Sequence, residues 1–381
     1  MRIAINANLV SFSGTYRQAG VSKYTELLIN YLGRVDPANQ YLIYFGNGPR
    51  PDDFAAAPNF RLIRSRFNTE KPVTRIAWEQ FIAPFRLLRD KPALLHCPVN
   101  VMPLLALAPT VITIHDLGFI RFPERYKKLK RFYLHALTAL SARRATHLIT
   151  PSEAIRQEVI ELLKISPERV TAIAEGVSED FQPLPAEAVE KFRQEKGLPA
   201  KFVLYVGTLE PRKNLPLLIR AFARWRKEHP AEAAGVRLVL GGAKGWFYEE
   251  IFRLVEELGL RNWTDFPGYL REEELPLWYN SARCFVYPSI YEGFGLPPLE
   301  AMACGCPVIT SNTSSLPEVV GEAGWLVSPD DETGLTTALN QLLTDDSTWT
   351  SYREKGLLQA AKFTWQEAAR QTLRIYRQIV G

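Results

Sequence analysis

No stretch of this 381-residue chain reaches the roughly eighteen consecutive apolar residues that a membrane-spanning helix needs, so a helical membrane protein is excluded. The N-terminus opens directly on a strand, Arg2 to Asn6, without the charged and apolar run of a secretory leader, and a cytoplasmic protein is expected. Cysteine is scarce. Cys97, Cys284, Cys304 and Cys306 lack the spacing of a zinc site, and Cys304 and Cys306 stand too close together for a C-x-x-C motif, which leaves small buried thiols as the expected reading. Nothing points to disorder: 46% hydrophobic and 23% charged residues are ordinary for a globular chain, and the length suits two domains.

The front half is short of acid. Residues 1–178 hold 24 Lys and Arg against 14 Asp and Glu, a balance of +10, whereas the remainder holds 22 against 27, a balance of −5. Much of the excess sits in Arg121, Arg125, Lys127, Lys128, Lys130 and Arg131, interleaved with Phe122, Tyr126, Leu129 and Phe132. Such a segment suits anionic lipid headgroups or a phosphorylated acceptor, and equally a solvated helix face. Nucleic acid is not an expected partner.

Short apolar runs alternate with helical spacing along the chain. Arg2 to Asn6, Tyr41 to Phe45, Ala93 to His96, Thr110 to Ile114 and His147 to Thr150 read as strands, with a helix at Val21 to Leu32. The connector 11–20 carries Gly14 and Gly20 and runs straight into that helix, so its amides either meet a phosphate group or form an ordinary turn. His115 and Asp116 follow the strand at Thr110, where open α/β sheets bind ligands, and His115 is the side chain most easily used at a reacting oxygen near neutral pH. His96, His135, His147 and His229 lack such a setting and read as structural. Pro183 and Pro185 mark a linker, so the expected domains are 1–178, with a closing helix at 365–381 crossing back, and 179–364.

The second half carries the stronger signals. Strand Phe202 to Val206 leads into Gly207 and then Arg212 and Lys213, cations placed between a strand and the helix Leu215 to Glu228, where a diphosphate would find them. A further strand, Cys284 to Tyr287, is followed by Glu292, Gly293, Phe294, Gly295 and Leu296. Pro297 and Pro298 fit only a helix's first turn, so a helix starts near Leu296, and its N-terminal amides form an anion site. Glu292 and Glu300 bracket that site. Acids beside a phosphate must face something else, and sugar or ribose hydroxyls are natural partners.

Glu292 and Glu300, with seven residues between them among glycines and prolines in register, resemble the E-x7-E signature of retaining, nucleotide-sugar-dependent glycosyltransferases of family 4. The resemblance spans nearly the whole chain and is dense from Val206 to Ser328. It implies an α/β fold of two Rossmann-like domains facing across a cleft, the GT-B arrangement. It also implies roles: Lys213 and Arg212 with the amides of Phe294 to Leu296 on the diphosphate, Glu292 on the sugar, and Glu300 on the ribose. Tyr269 and Leu270, after Gly268, would face the base; Gly20 and Gly207 would allow close approach; His115 would assist the chemistry, and Asp116 would lie near the acceptor. Two positions depart from the pattern, since Ala19 replaces one glycine of a pair and Thr208 stands where an arginine is common.

The implied reaction moves a hexosyl group, mannose favoured, from a nucleotide-diphosphate sugar to a glycan or lipid-linked acceptor. GDP-mannose is favoured over UDP-sugars, and no cofactor or metal is expected, because fixed cations replace a D-x-D site. Other readings are a non-catalytic sugar-nucleotide-binding subunit, a nucleotide-sugar epimerase, and a glucan phosphorylase, for which no pyridoxal-binding lysine is identifiable.

Overall fold

The computed structural model describes residues 1–12, 20–52, 54–69, 72–123 and 128–381. The chain forms two compact units. Unit 1 is Met1–Gly176 together with Thr364–Gly381, and unit 2 is Val177–Phe363. The prolines at 183 and 185 lie inside unit 2, just before a helix at Ala186–Lys196, and Phe181 is already part of its apolar core.

Unit 1 is built on seven parallel strands: β1 (Arg2–Ala7), β2 (Gln40–Phe45), β3 (Phe60–Arg64), β4 (Leu94–Cys97), β5 (Thr110–Thr113), β6 (His147–Thr150) and β7 (Val170–Ala172). Their order is β3-β2-β1-β4-β5-β6-β7. The inner strands are near-continuous apolar runs because helices cover both sheet faces and leave no solvated side. The helix Val21–Val35 buries Tyr24, Leu28 and Leu32 at helical spacing, and the helix Trp365–Val380 is packed beside it. Tyr24 meets Trp365 edge-on, with ring centroids 5.6 Å apart. His96 is fully buried between Tyr376 and Thr113, and burial holds it near pKa 3, a neutral core residue.

Unit 2 has six parallel strands: β8 (Phe202–Val206), β9 (Arg237–Gly241), β10 (Thr264–Gly268), β11 (Cys284–Tyr287), β12 (Val308–Ser311) and β13 (Gly324–Val327). They are arranged β10-β9-β8-β11-β12-β13. In both sheets the order reverses once, at β1/β4 and at β8/β11. Chains leaving neighbouring strands in opposite directions open a crevice there, and this is where doubly wound sheets take ligands.

All four cysteines are buried and free. Among the described residues no helix is long and apolar enough to cross a membrane.

Candidate active site

The reversal point of unit 2 joins the two loops that the sequence marks separately. After β8 the chain turns at Gly207 and passes through a short 3-10 turn, Pro211–Lys213, to Asn214. Asn214 takes a left-handed conformation, φ +54°, and donates its side-chain amide to the Pro329 carbonyl, fixing the start of the helix Leu215–Glu228. The Arg212 carbonyl accepts from the Ile290 amide at 2.9 Å and from Ser289 Oγ at 3.2 Å. The loops after β8 and β11 are thereby one body.

Glu292 is the hub. Its Oε1 accepts from Lys213 Nζ at 2.6 Å and from Ser289 Oγ at 2.5 Å, and its Oε2 lies 2.9 Å from Arg212 Nη1. Arg212 also reaches Glu210 at 3.0 Å and the Tyr291 carbonyl at 2.6 Å. Burial works to raise the Glu292 pKa, but Lys213 and then Arg212 outweigh it and hold the carboxyl at about 2. Burial pulls Lys213 below its ordinary value while Glu292 pulls it back, and a carboxylate at 2.6 Å means that the pair is ionised. Two carboxylates therefore face two cations. Lys213 has three N–H donors; one serves Glu292, one the Tyr287 hydroxyl at 2.5 Å, and the third is uncommitted among the described residues.

The helix Leu296–Ala303 begins beside this cluster. Gly295 holds φ +128°, and a Cβ there would come 2.9 Å from Leu316 Cδ2, so both backbone and space demand glycine. Pro297 and Pro298 have no N–H, which confines the donors of this helix end to the amides before them. Phe294 is buried, its ring 5.9 Å from that of Phe363. One turn into the helix, Glu300 accepts from the Tyr279 hydroxyl at 3.1 Å.

Gly207 and Gly242, both with φ near +155°, let the ends of β8 and β9 press together, since a Cβ on Gly242 would sit 1.8 Å from the Gly207 carbonyl oxygen. Leu270 is buried against Gly241, while Tyr269 is exposed at the loop after β10. In unit 1, Gly20 is the exposed N-cap of the helix Val21–Val35, at φ +62°. Gly14 and Ala19 lie outside the described residues. His115 packs edge-on against Tyr24 at 4.6 Å, with Nε2 3.2 Å from the Pro98 carbonyl and Nδ1 3.6 Å from Glu175. Asp116 accepts from the Gly118 amide at 2.9 Å and so caps the short turn that follows.

Residues 188–358 match the family "Glycosyl transferases group 1", and residues 19–181 match "Glycosyltransferase Family 4". The O-antigen chain mannosyltransferase B of Escherichia coli is 36% identical over 296 residues, 76% of each chain. The chain belongs to the family 4 glycosyltransferases. The serotype-specific mannosyltransferase WbdA of Escherichia coli is 35% identical over 68% of this glycosyltransferase, which spans 32% of that longer protein. Sucrose-phosphate synthase from Thermosynechococcus elongatus superposes with a TM-score of 0.78 at 24% identity, covering 99% of this chain and 98% of its own. Anabaena HepE in complex with UDP-glucose gives 0.74 at 19% identity, covering 99% and 100%. The fold is thus GT-B, two parallel-sheet α/β domains.

Three features of this glycosyltransferase's site escape a reading of the sequence. Ser314 and Ser315 donate to the Glu292 carbonyl at 2.6 and 3.0 Å, Ser315 also to Phe294 O at 2.5 Å, and Thr313 to Ile290 O at 3.0 Å. This hydroxyl run staples the Glu292 loop; its only signal is the Ser/Thr density of residues 310–315. Tyr287 supports Lys213, although in sequence it is simply the last residue of a strand. Glu175 meets His115 from sixty positions away.

Proposed function

We propose that this glycosyltransferase moves a mannosyl group from a nucleotide-diphosphate sugar, GDP-mannose in preference to a UDP-sugar, to a glycan or lipid-linked acceptor with retention at the anomeric carbon. The observation that carries the reading is the Lys213–Glu292–Arg212 cluster beside the N-terminus of the helix Leu296–Ala303. Charge builds on the diphosphate as the sugar leaves. The third Lys213 proton and the helix-end amides are donors for it, while Glu292, held by the same cations, turns its carboxylate to sugar hydroxyls. The departing phosphate oxygen takes the acceptor proton, His115 assists at the reacting centre, and Asp116 lies near the acceptor. Fixed cations make a metal unnecessary. Glu300, on Tyr279, holds the ribose, and the loop at Tyr269 and Leu270 receives the base. Mannose is favoured because the relatives named above are mannosyltransferases.

A peripheral contact with anionic membrane at its cytoplasmic face belongs to the same reading. Phe81, Phe85 and Leu88 stand exposed at positions i, i+4 and i+7, with Arg89 beside them, and Arg131 and Phe132 are exposed on the helix Lys128–Arg144. Arg121 spends its charge on Glu158 at 2.7 Å, and Arg125 and Lys127 lie outside the described residues.

The test is thermal shift with GDP-mannose, UDP-glucose and ADP-glucose, followed by NMR of the product's anomeric configuration. A donor at a hundred times its dissociation constant adds about 2.7 kcal/mol. Stabilisation by GDP-mannose, lost in Glu300→Gln, and an α-linked product are expected. No response to any donor, or a β-linked product, overturns the reading.

A further inference from the structure

A pocket of about 170 Å³ opens in unit 1 at its own reversal point, lined by the start of the helix Val21–Val35 and by the loops that follow β4 and β5. Valine, isoleucine and leucine side chains form part of its wall. Its polar groups are Arg75, Glu79, Asn100, His115, Asp116 and Tyr133. Arg75 and Glu79 come from a helical stretch made of Pro72–Ala77, a π turn at Trp78–Ile82, and Ala83–Asp90. Such π turns recur at functional sites because the extra residue re-aims side chains.

Glu79 is the anomaly in this wall. It is 3% exposed, and burying a carboxylate is costly unless partners answer it. Asn6, on β1, donates to Oε1 at 3.1 Å, and Arg75 Nε stands 3.9 Å from the same oxygen. Those are its partners among the described residues, and both are on Oε1. Oε2 has no partner among the described residues, and Glu79 lines the pocket. Burial pushes the carboxyl up to about 7, where it can either donate or accept a hydrogen bond. The surrounding groups narrow the choice of ligand. A phosphate would be repelled by Glu79 and Asp116, and a cation would meet Arg75. A neutral molecule bearing hydroxyls, each both donor and acceptor, with C–H faces for the apolar wall, fits both constraints.

We infer that this pocket receives a terminal sugar ring of the acceptor and that Glu79 reads one of its hydroxyls, a specificity-determining contact. The inference rests on the glycosyl-transfer reading for its biological sense, but its binding test does not depend on activity.

Saturation-transfer NMR on the full chain with methyl α-mannoside, methyl α-glucoside and methyl β-galactoside tests it. Two variants accompany the wild type: Val101→Trp fills the pocket, and Glu79→Gln keeps the shape and the Asn6 contact, so one survives should the other misfold. At least one glycoside binds the wild type, loses its signal in Val101→Trp, and binds roughly tenfold more weakly in Glu79→Gln, as expected for a lost hydrogen bond. In transfer assays the ratio of acceptor KM to donor KM rises at least tenfold in both. Binding of none of the three to wild type, or equal binding by the folded variants, overturns the pocket assignment. A wild type that binds a glycoside but transfers no sugar from any donor refutes glycosyl transfer instead, and leaves the pocket standing.

Discussion

Replacing Lys213 by methionine removes the ammonium and keeps the length of the side chain. At 2.6 Å the Lys213–Glu292 attraction is ~6 kcal/mol gross at an effective dielectric constant of 20. Desolvation and the remaining Arg212 contact at 2.9 Å reduce the net loss. The drop of Glu292 from its ordinary 4.5 to about 2 corresponds to about 3 kcal/mol at 1.36 kcal/mol per unit. Removing one partner of a buried pair typically costs about 3–5 kcal/mol, so the two routes agree. With a urea m-value of ~2 kcal/mol/M, the unit 2 midpoint falls by ~1.5 M.

A chain of two units need not unfold in one step, so the readout is hydrogen exchange of peptides covering 202–213 and 284–296 across a urea series. The pH arm has a definite sign. A depressed carboxyl pKa stabilises fully above 4.5 and ceases to do so as pH falls through about 2, so wild-type unit 2 loses about 3 kcal/mol over that window and Lys213→Met is much flatter. Glu292→Gln and the double variant complete a cycle in which the double costs clearly less than the two singles together. Additive singles, or a Lys213→Met chain within ~0.5 kcal/mol of wild type at pH 7, would refute the reasoning.

Ser315→Ala strips a fully buried hydroxyl from two carbonyls of the Glu292 loop, costs about 1–3 kcal/mol, and raises donor KM; if melting temperature and KM both stay put, the staple has no such role. Flotation with phosphatidylglycerol vesicles should capture the wild-type chain at low salt and release it in Phe81→Asp/Phe85→Asp or in 0.5 M salt (roughly a 4 Å screening length); equal binding to phosphatidylcholine would remove the anionic-membrane reading.

The parts legible in the sequence are those where local chemistry decides alone. The bounds of β8 and β11 and of the helix Leu215–Glu228 coincide with the sequence reading because each is an apolar run bounded by Gly, Pro or Asn. β3 was not legible. It is a half-exposed edge strand, and Arg61 and Arg64 interrupt its apolar run. The stretch 72–90 hides as well, since its phenylalanines at 81 and 85 point outward and blur the helical period. At the candidate site, the structure brings Arg212, Lys213 and Glu292 together, and that pairing was not legible in the sequence. The sequence assigns Glu292 and Lys213 to different parts of a substrate, whereas the chain's topology makes them each other's nearest charge. That contact spans 79 positions and no local pattern announces it.

The discontinuity of unit 1 has a consequence for the order in which the protein is made. Its strands β1 to β7 leave the ribosome first, but two of the largest side chains in its interior, Trp365 and Tyr376, are synthesised only after all of unit 2. Unit 2 is contiguous and can close on its own sequence. The earlier-made sheet must meanwhile wait with an apolar face uncovered, held for the helix Trp365–Val380, so the unit whose strands are made before unit 2 is the one that finishes folding after it.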